Sequence, residues 1–237
     1  MRKRRRVLPQ LVILVLLLAL MTAGAFWFGF VPQRYSPFAP ISLQEPEQWF
    51  IDPRLAALRR DPPLCRAVLK APHIEAASIA DNPIKNGCGW VNSVRVTQAG
   101  GAALGVDKLT CEMAAALTLW LEHEVQPLAR EILGTRVVGI DDMGSYSCRN
   151  IVGNAAWKNF RSQHATGNAI DIAGFRLADK RHVSVLKNWK EPEAEARFLH
   201  EAHRRACRYF RVALGPDFNA AHRDHLHYDR GIAWTCR

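Results

Sequence analysis

The chain has 237 residues, 49% of them apolar and 23% charged, with a formal net charge of +10. That balance excludes a disordered tail, a collagen-like repeat and a polytopic membrane protein, and its length suits one domain or two small ones. A strong basic excess would suit a polyanion partner, so the location of the charge matters.

Residues 2–6 read Arg-Lys-Arg-Arg-Arg; without them 27 basic residues face 22 acidic ones, a net of +5. Next comes an apolar run, of which Leu11–Val31 is long enough to cross a bilayer once. Basic residues ahead of such a span retain the N-terminus in the cytoplasm and send the rest across. The expected organisation is a cytoplasmic tail at 1–10, a transmembrane signal-anchor at 11–31, a linker at 32–54 and a periplasmic domain at 55–237. Ala23-Gly24-Ala25 also fits a signal-peptidase site, which would release the domain to the periplasm. Phe26-Trp27-Phe28-Gly29-Phe30-Val31 continues the apolar run past that site and favours the retained anchor in the inner membrane. Either way the remainder is exported. It lacks a second basic run, so no nucleic-acid partner is expected.

Pro32, Pro37, Pro40, Pro46 and Pro53 mark a semi-extended spacer. Val91–Thr97 has strand composition and precedes a Gly100-Gly101 turn. Thr110 can cap a helix over Cys111–Glu124, with Ala114, Leu117, Leu121 and Val125 at helical spacing. Pro127 kinks or restarts that helix, and Gly134 suits its C-terminal cap. Further strands are expected at Arg136–Ile140, Ala169–Ala173, Val183–Leu186, Tyr209–Leu214 and His225–Tyr228, and a helix at Glu193–Arg208. The fold class is α+β: a small mixed or antiparallel sheet with flanking helices, preceded by one transmembrane helix.

All six cysteines (Cys65, Cys88, Cys111, Cys148, Cys207, Cys236) follow the span. Their even number in an exported domain reads as a disulfide framework, and the absence of a Cys-x-x-Cys pair argues against a zinc ribbon. Their pairing is open, with Cys207–Cys236 favoured to pin the C-terminus.

Two segments carry chemistry: Ser162 to Asp171 (SQHATGNAID) and His222 to His227 (HRDHLH). Histidine and carboxylate are ordinary zinc ligands, and three protein ligands leave a position for water. On a strand, Ile170 and Ile172 face one way while Ala169, Asp171 and Ala173 face the other. Gly167 lets the preceding loop turn so that His164 returns over the Asp171 face. His225 and His227 share a strand face, which would aim Asp224 away unless the chain bends before His225. Trp157, Trp189 and Trp234 are expected in core or rim packing, and His123, His182, His200 and His203 in ordinary structural roles.

Ser162-x-His164-x-x-Gly167-x-Ala169-x-Asp171 followed by Asp224-x-x-His227 resembles the signature of zinc D-Ala-D-Ala carboxypeptidases and murein endopeptidases (LAS-type metallopeptidases). Lysostaphin-like enzymes and the sonic hedgehog signalling domain belong to the same group. Gly144-Ser145-Tyr146-Ser147-Cys148-Arg149, Gly215-Pro216-Asp217-Phe218-Asn219 and the cysteine pattern are similar to the bacterial extensin-like C-terminal domain family over roughly residues 60–237. The resemblance implies that His164, Asp171 and His227 ligate Zn2+ and that Asp224 is the acid/base. It places His225 beside the metal-bound water, Arg149 at the developing oxyanion, and Ser162 and His222 around the ligands or substrate. The implied activity is hydrolysis of peptidoglycan stem-peptide bonds, by an endopeptidase or carboxypeptidase. A non-catalytic zinc-containing cell-wall binding or assembly module is the alternative.

Overall fold

The computed structural model describes residues 4–153 and 155–237. The chain divides into two compact units, one comprising residues to Ala39 with Glu47–Phe50, the other Pro40–Pro46 with Ile51–Arg237.

In the first unit, α1 (Arg4–Trp27) contains 19 residues, Pro9–Trp27, long and apolar enough to cross a membrane. At 1.5 Å per residue this stretch is about 28 Å, near the thickness of a hydrocarbon core. The helix ends four residues short of Val31. Gly29 adopts a left-handed conformation (φ 73°), and the amides of Phe28 and Phe30 donate to the carbonyls of Gly24 and Ala25 at 2.9 and 3.0 Å. Such a turn satisfies the last carbonyls, and Pro32 cannot continue a helix.

The second unit opens with α2 (Ile51–Ala57) and α3 (Pro62–Val68); Asp61 caps α3 by accepting from the Leu64 amide at 2.9 Å. Strands follow at β1 (Ile74–Ser78), β2 (Asn82–Lys85), β3 (Cys88–Trp90), β4 (Ser93–Ala99) and β5 (Ala102–Thr110). The Thr110 hydroxyl caps α4 (Cys111–Trp120). A π-helical turn at Leu121–Val125 leads into α5 (Gln126–Leu133). Pro127 has no N–H to bond the carbonyl four residues back, and the widened turn accommodates that loss. Gly134 ends α5 at φ 69°, where a Cβ would be strained. The chain continues through β6 (Val137–Asp142), β7 (Ala169–Leu177), β8 (His182–Ser184), α6 (Val185–Asn188), α7 (Glu193–Ala206), β9 (Val212–Leu214), β10 (Leu226–Asp229) and β11 (Thr235–Cys236).

The unit is α+β, with a mixed, mostly antiparallel sheet ordered β1-β4-β5-β6-β7-β10-β9-β11 and β8 added to β7. Its nine strands exceed the small sheet expected from sequence. β1, β5 and β11 had no sequence assignment, nor did the separate β2–β3 pair. Only β5–β6 and β9–β11 run parallel among the described pairs. Tyr209 and Phe210, expected in a strand, are instead buried in the turn after α7. The expected spacer is partly folded: Ile41 and Leu43 are buried in the core, and α2 begins at Ile51.

Alternating burial along β4 and β5 shows one face packed and the other toward solvent. α4 is buried on every side, and Trp120 touches Phe175, Phe210 and Tyr228 while its indole donates to the Ala202 carbonyl. Ile170, Ile172, Leu226 and Tyr228 belong to this core. Period-two alternation therefore turns Asp171 and His227 onto the opposite face.

Three disulfides are closed, Cys65–Cys111, Cys88–Cys148 and Cys207–Cys236, so the favoured C-terminal bridge is the one observed.

Candidate metal centre

β7 and β10 are antiparallel neighbours whose register sets His227 directly opposite Asp171. Cross-strand partners on one face lie within side-chain reach, and His227 Nδ1 is 2.8 Å from Asp171 Oδ1. His164 arrives on a single turn, Gln163–Thr166, capped by Ser162, whose Oγ accepts from the His164 amide. The turn closes at Gly167 with φ 64°, and a Cβ there would sit 2.7 Å from the Lys108 carbonyl, so only glycine fits. The result brings His164 Nε2 to 3.2 Å from both His227 Nδ1 and Asp171 Oδ2.

One atom from each of His164, Asp171 and His227 lies within 4.8 Å of the others, and all three residues are buried. Ligands held at 2.0–2.1 Å around a tetrahedral ion stand roughly 3.3 Å apart, so this spacing suits a small divalent cation. The nitrogens pointing away are also engaged. His164 Nδ1 donates to the Ser145 carbonyl at 3.2 Å, and His227 Nε2 donates to Asp229 Oδ2 at 3.1 Å. Such outer contacts fix each imidazole so that its other nitrogen faces the common point.

The charges fit the same picture. Burial raises the Asp171 carboxyl, but hydrogen bonds from His164 and His227 overcome it and hold the acid far below the usual carboxylate range. Burial alone would lower His227, yet its contacts with Asp171 and Asp229 push it up to about 9. Without metal, the His227 imidazolium bridges Asp171 and Asp229 and offsets one of their two negative charges; with metal, the Nδ1 proton must leave.

The second motif bends where the sequence required it. Asn219 caps a turn at Ala220–His222, Arg223 and Asp224 continue the turn, and the strand begins only at Leu226. Asp224 is partly exposed and accepts from His225 Nδ1 at 2.9 Å, which depresses its carboxyl. His225 Nε2 in turn lies 3.7 Å from Asp171 Oδ1. His225 therefore stands between Asp224 and the cluster. His222 is buried, bonded through Nδ1 to Asn219 at 2.8 Å, and has ring contacts with His225 and His227. Burial and then the nearby His227 and His225 charges push it down to about 4. Arg149 is half-buried; its guanidinium lies close enough to disfavour charge on His222, and its carbonyl accepts from the Ser162 amide at 3.1 Å.

The sequence reading missed Asp229 and Ser145. Asp229 was detectable, because residues two apart on a strand share a face and His227-x-Asp229 has that spacing. Ser145 acts through its backbone carbonyl, which leaves no trace in residue type. The five other histidines bond elsewhere, His73 to Glu122, His123 to Leu43, His182 to Asp141, His200 to Trp189 and His203 to Arg237. Trp189 is buried and stacked on His200 at 4.2 Å, whereas Trp157 and Trp234 are exposed.

No curated protein and no solved structure matches the chain. The family model described as the extensin-like protein C-terminus matches residues 63–237, which include both motifs and all six cysteines, and the chain belongs to that family.

Proposed function

We propose that the chain is a zinc-dependent peptidase that hydrolyses peptide bonds of peptidoglycan stem peptides, held in the envelope by α1. The observation that carries this reading is the convergence of His164 Nε2, His227 Nδ1 and Asp171, with each histidine braced from behind by Ser145 or Asp229. Two imidazoles, one carboxylate and nearby proton-transfer groups form the donor set of a catalytic rather than a structural zinc site.

His164, Asp171 and His227 would hold the ion. Bound zinc supplies a Lewis acid and lowers the pKa of a water ligand toward about 7. The remaining steps belong to the chain's own groups. His225 Nε2 faces the cluster and Asp224 braces Nδ1, so this pair takes the proton of the attacking water and returns it to the departing amine. The resemblance alone assigns that role to Asp224; the geometry supports His225 as the transferring group and Asp224 as its support. Arg149, on the His222 side, is the cation available to a developing oxyanion.

The anchor reading has structural support too. Ala23-Gly24-Ala25 lies inside α1, and the Gly24 and Ala25 carbonyls accept the hydrogen bonds that close its last turn. A helical site is a poor substrate for a protease that needs extended chain. With this topology the folded unit lies outside the cytoplasm, consistent with its three disulfides.

The test is digestion of purified muropeptides by the chain with zinc or with a chelator. The expected result is a zinc-dependent product abolished by His225→Ala. Unchanged muropeptides, together with sacculus co-sedimentation that survives Asp224→Asn, would identify the wall-binding module instead.

A further inference from the structure

The chain leaving α1 exposes aromatic side chains that a water-facing segment would be expected to cover. Trp27, Phe28, Phe30 and Phe38 are 87%, 74%, 80% and 85% exposed. Glu47–Phe50, about twenty residues beyond the helix, folds back into the same compact unit. The Trp49 amide donates to the Arg34 carbonyl at 2.8 Å, and the Trp49 ring packs on Tyr35 with centroids 5.2 Å apart. This return adds Trp49 and Phe50, themselves 62% and 47% exposed. Arg34, whose guanidinium lies 4.7 Å above Tyr35, is the only Lys or Arg between residues 28 and 50.

We infer that Trp27, Phe28, Phe30, Phe38, Trp49 and Phe50 form a collar that beds in the lipid headgroup layer of the bilayer crossed by α1. The inference rests on α1 being a retained span and goes beyond it, because Trp49 and Phe50 lie far outside the apolar run. Three observations select lipid over a protein partner. The aromatics are continuous with a helix long and apolar enough to cross a membrane. Amphipathic Trp and Tyr rings, here Trp27, Trp49 and Tyr35, are favoured at the depth where hydrocarbon meets headgroup, and the flanking phenylalanines add apolar area beside them. Arg34 stands among them, where an arginine can bond lipid phosphate. The collar gives the anchor a fixed depth, which a lone apolar helix with no aromatic stop would lack.

The test uses the full chain in phosphatidylethanolamine–phosphatidylglycerol vesicles, labelled with 5-fluorotryptophan. Trp27→Phe and Trp49→Phe assign the two fluorine resonances. Lipid carrying a headgroup nitroxide should erase both signals, while lipid carrying a nitroxide deep in the acyl chain should leave that of Trp49. If Trp27 responds to lipid nitroxide but Trp49 responds only to a water-soluble gadolinium chelate, the collar is refuted while the span stands. If neither responds to lipid, span and collar fall together. A Trp49 signal protected from both lipid and aqueous probes places a protein, such as a second copy, over the collar and overturns the lipid assignment.

Discussion

Asp229 is where single-residue chemistry is most exposed to test. Its carboxylate fixes the His227 ring from the far side, so Asp229→Asn keeps the shape and weakens the acceptor. Loss of such an outer contact costs about 10–100-fold in metal affinity. Competition against a chromophoric chelator should show a loss of that size, and an unchanged affinity would remove Asp229 from the site. His227 also sets a pH dependence. Its pKa in the metal-free fold is about 9, above the ordinary 6.5, so its contribution to stability is full below 6.5 and disappears as pH rises through 9. His222 works in the opposite sense: held at about 4, it stabilises above 6.5 and loses that contribution as pH falls toward 4. Urea melts in chelator should show both flanks; His227→Gln should flatten the alkaline one and shrink the acid one, because the His227 charge helps hold His222 down. Zinc should suppress the alkaline flank by displacing the His227 proton.

At the level of elements, what matters is how the segments carrying the site are fastened. The Cys88–Cys148 bridge ties β3 to the loop in which the Ser145 carbonyl and the Ser147 amide both bond His164. Replacing both cysteines of that bridge by serine should weaken metal binding, whereas removing Cys207–Cys236 should lower stability and spare affinity. Equal affinity loss in the two variants, measured by the same competition, would contradict this assignment. The buried ion network is the second fastening. Arg230 follows Asp229 and bonds Glu112 at the start of α4 and Asp52 in α2; Arg59 meets Glu112 from the other side. Glu112→Ala leaves Arg230 with Asp52 as its remaining carboxylate partner and should destabilise in chemical denaturation by less than the about 3–5 kcal/mol of a fully unpaired buried charge. These fastenings were hard to read in sequence. β5 is rich in Ala and Gly, poor strand formers, although its burial alternates along its length. Glu112 and Arg230 are 118 positions apart, and nothing local announces their pairing. α4 and α7 were legible because apolar spacing and terminal residues agree there with the packing.

On the scale of the whole molecule, the basic excess separates from the chemistry. Half of the +10 charge belongs to residues 2–6, ahead of the apolar stretch Pro9–Trp27, while the site lies in the other compact unit. The convergence of His164, Asp171 and His227 was legible because two short motifs place them at spacings that a turn and two paired strands can satisfy. The placing of His225 between Asp224 and the cluster was not, because it depends on a turn at residues 220–224 that period-two reasoning cannot see. The extent of the folded unit was missed for a related reason: prolines at 37, 40 and 46 read as spacer, yet Ile41 and Leu43 between them are buried.

Calorimetric titration of the chelator-treated full chain with zinc decides whether this cluster holds the metal. One equivalent should bind, with proton release below pH 9, and binding should be lost in His164→Ala and His227→Ala variants whose circular dichroism is unchanged. A folded wild-type chain that takes up no zinc, or that binds it equally well without those histidines, would contradict the proposed site.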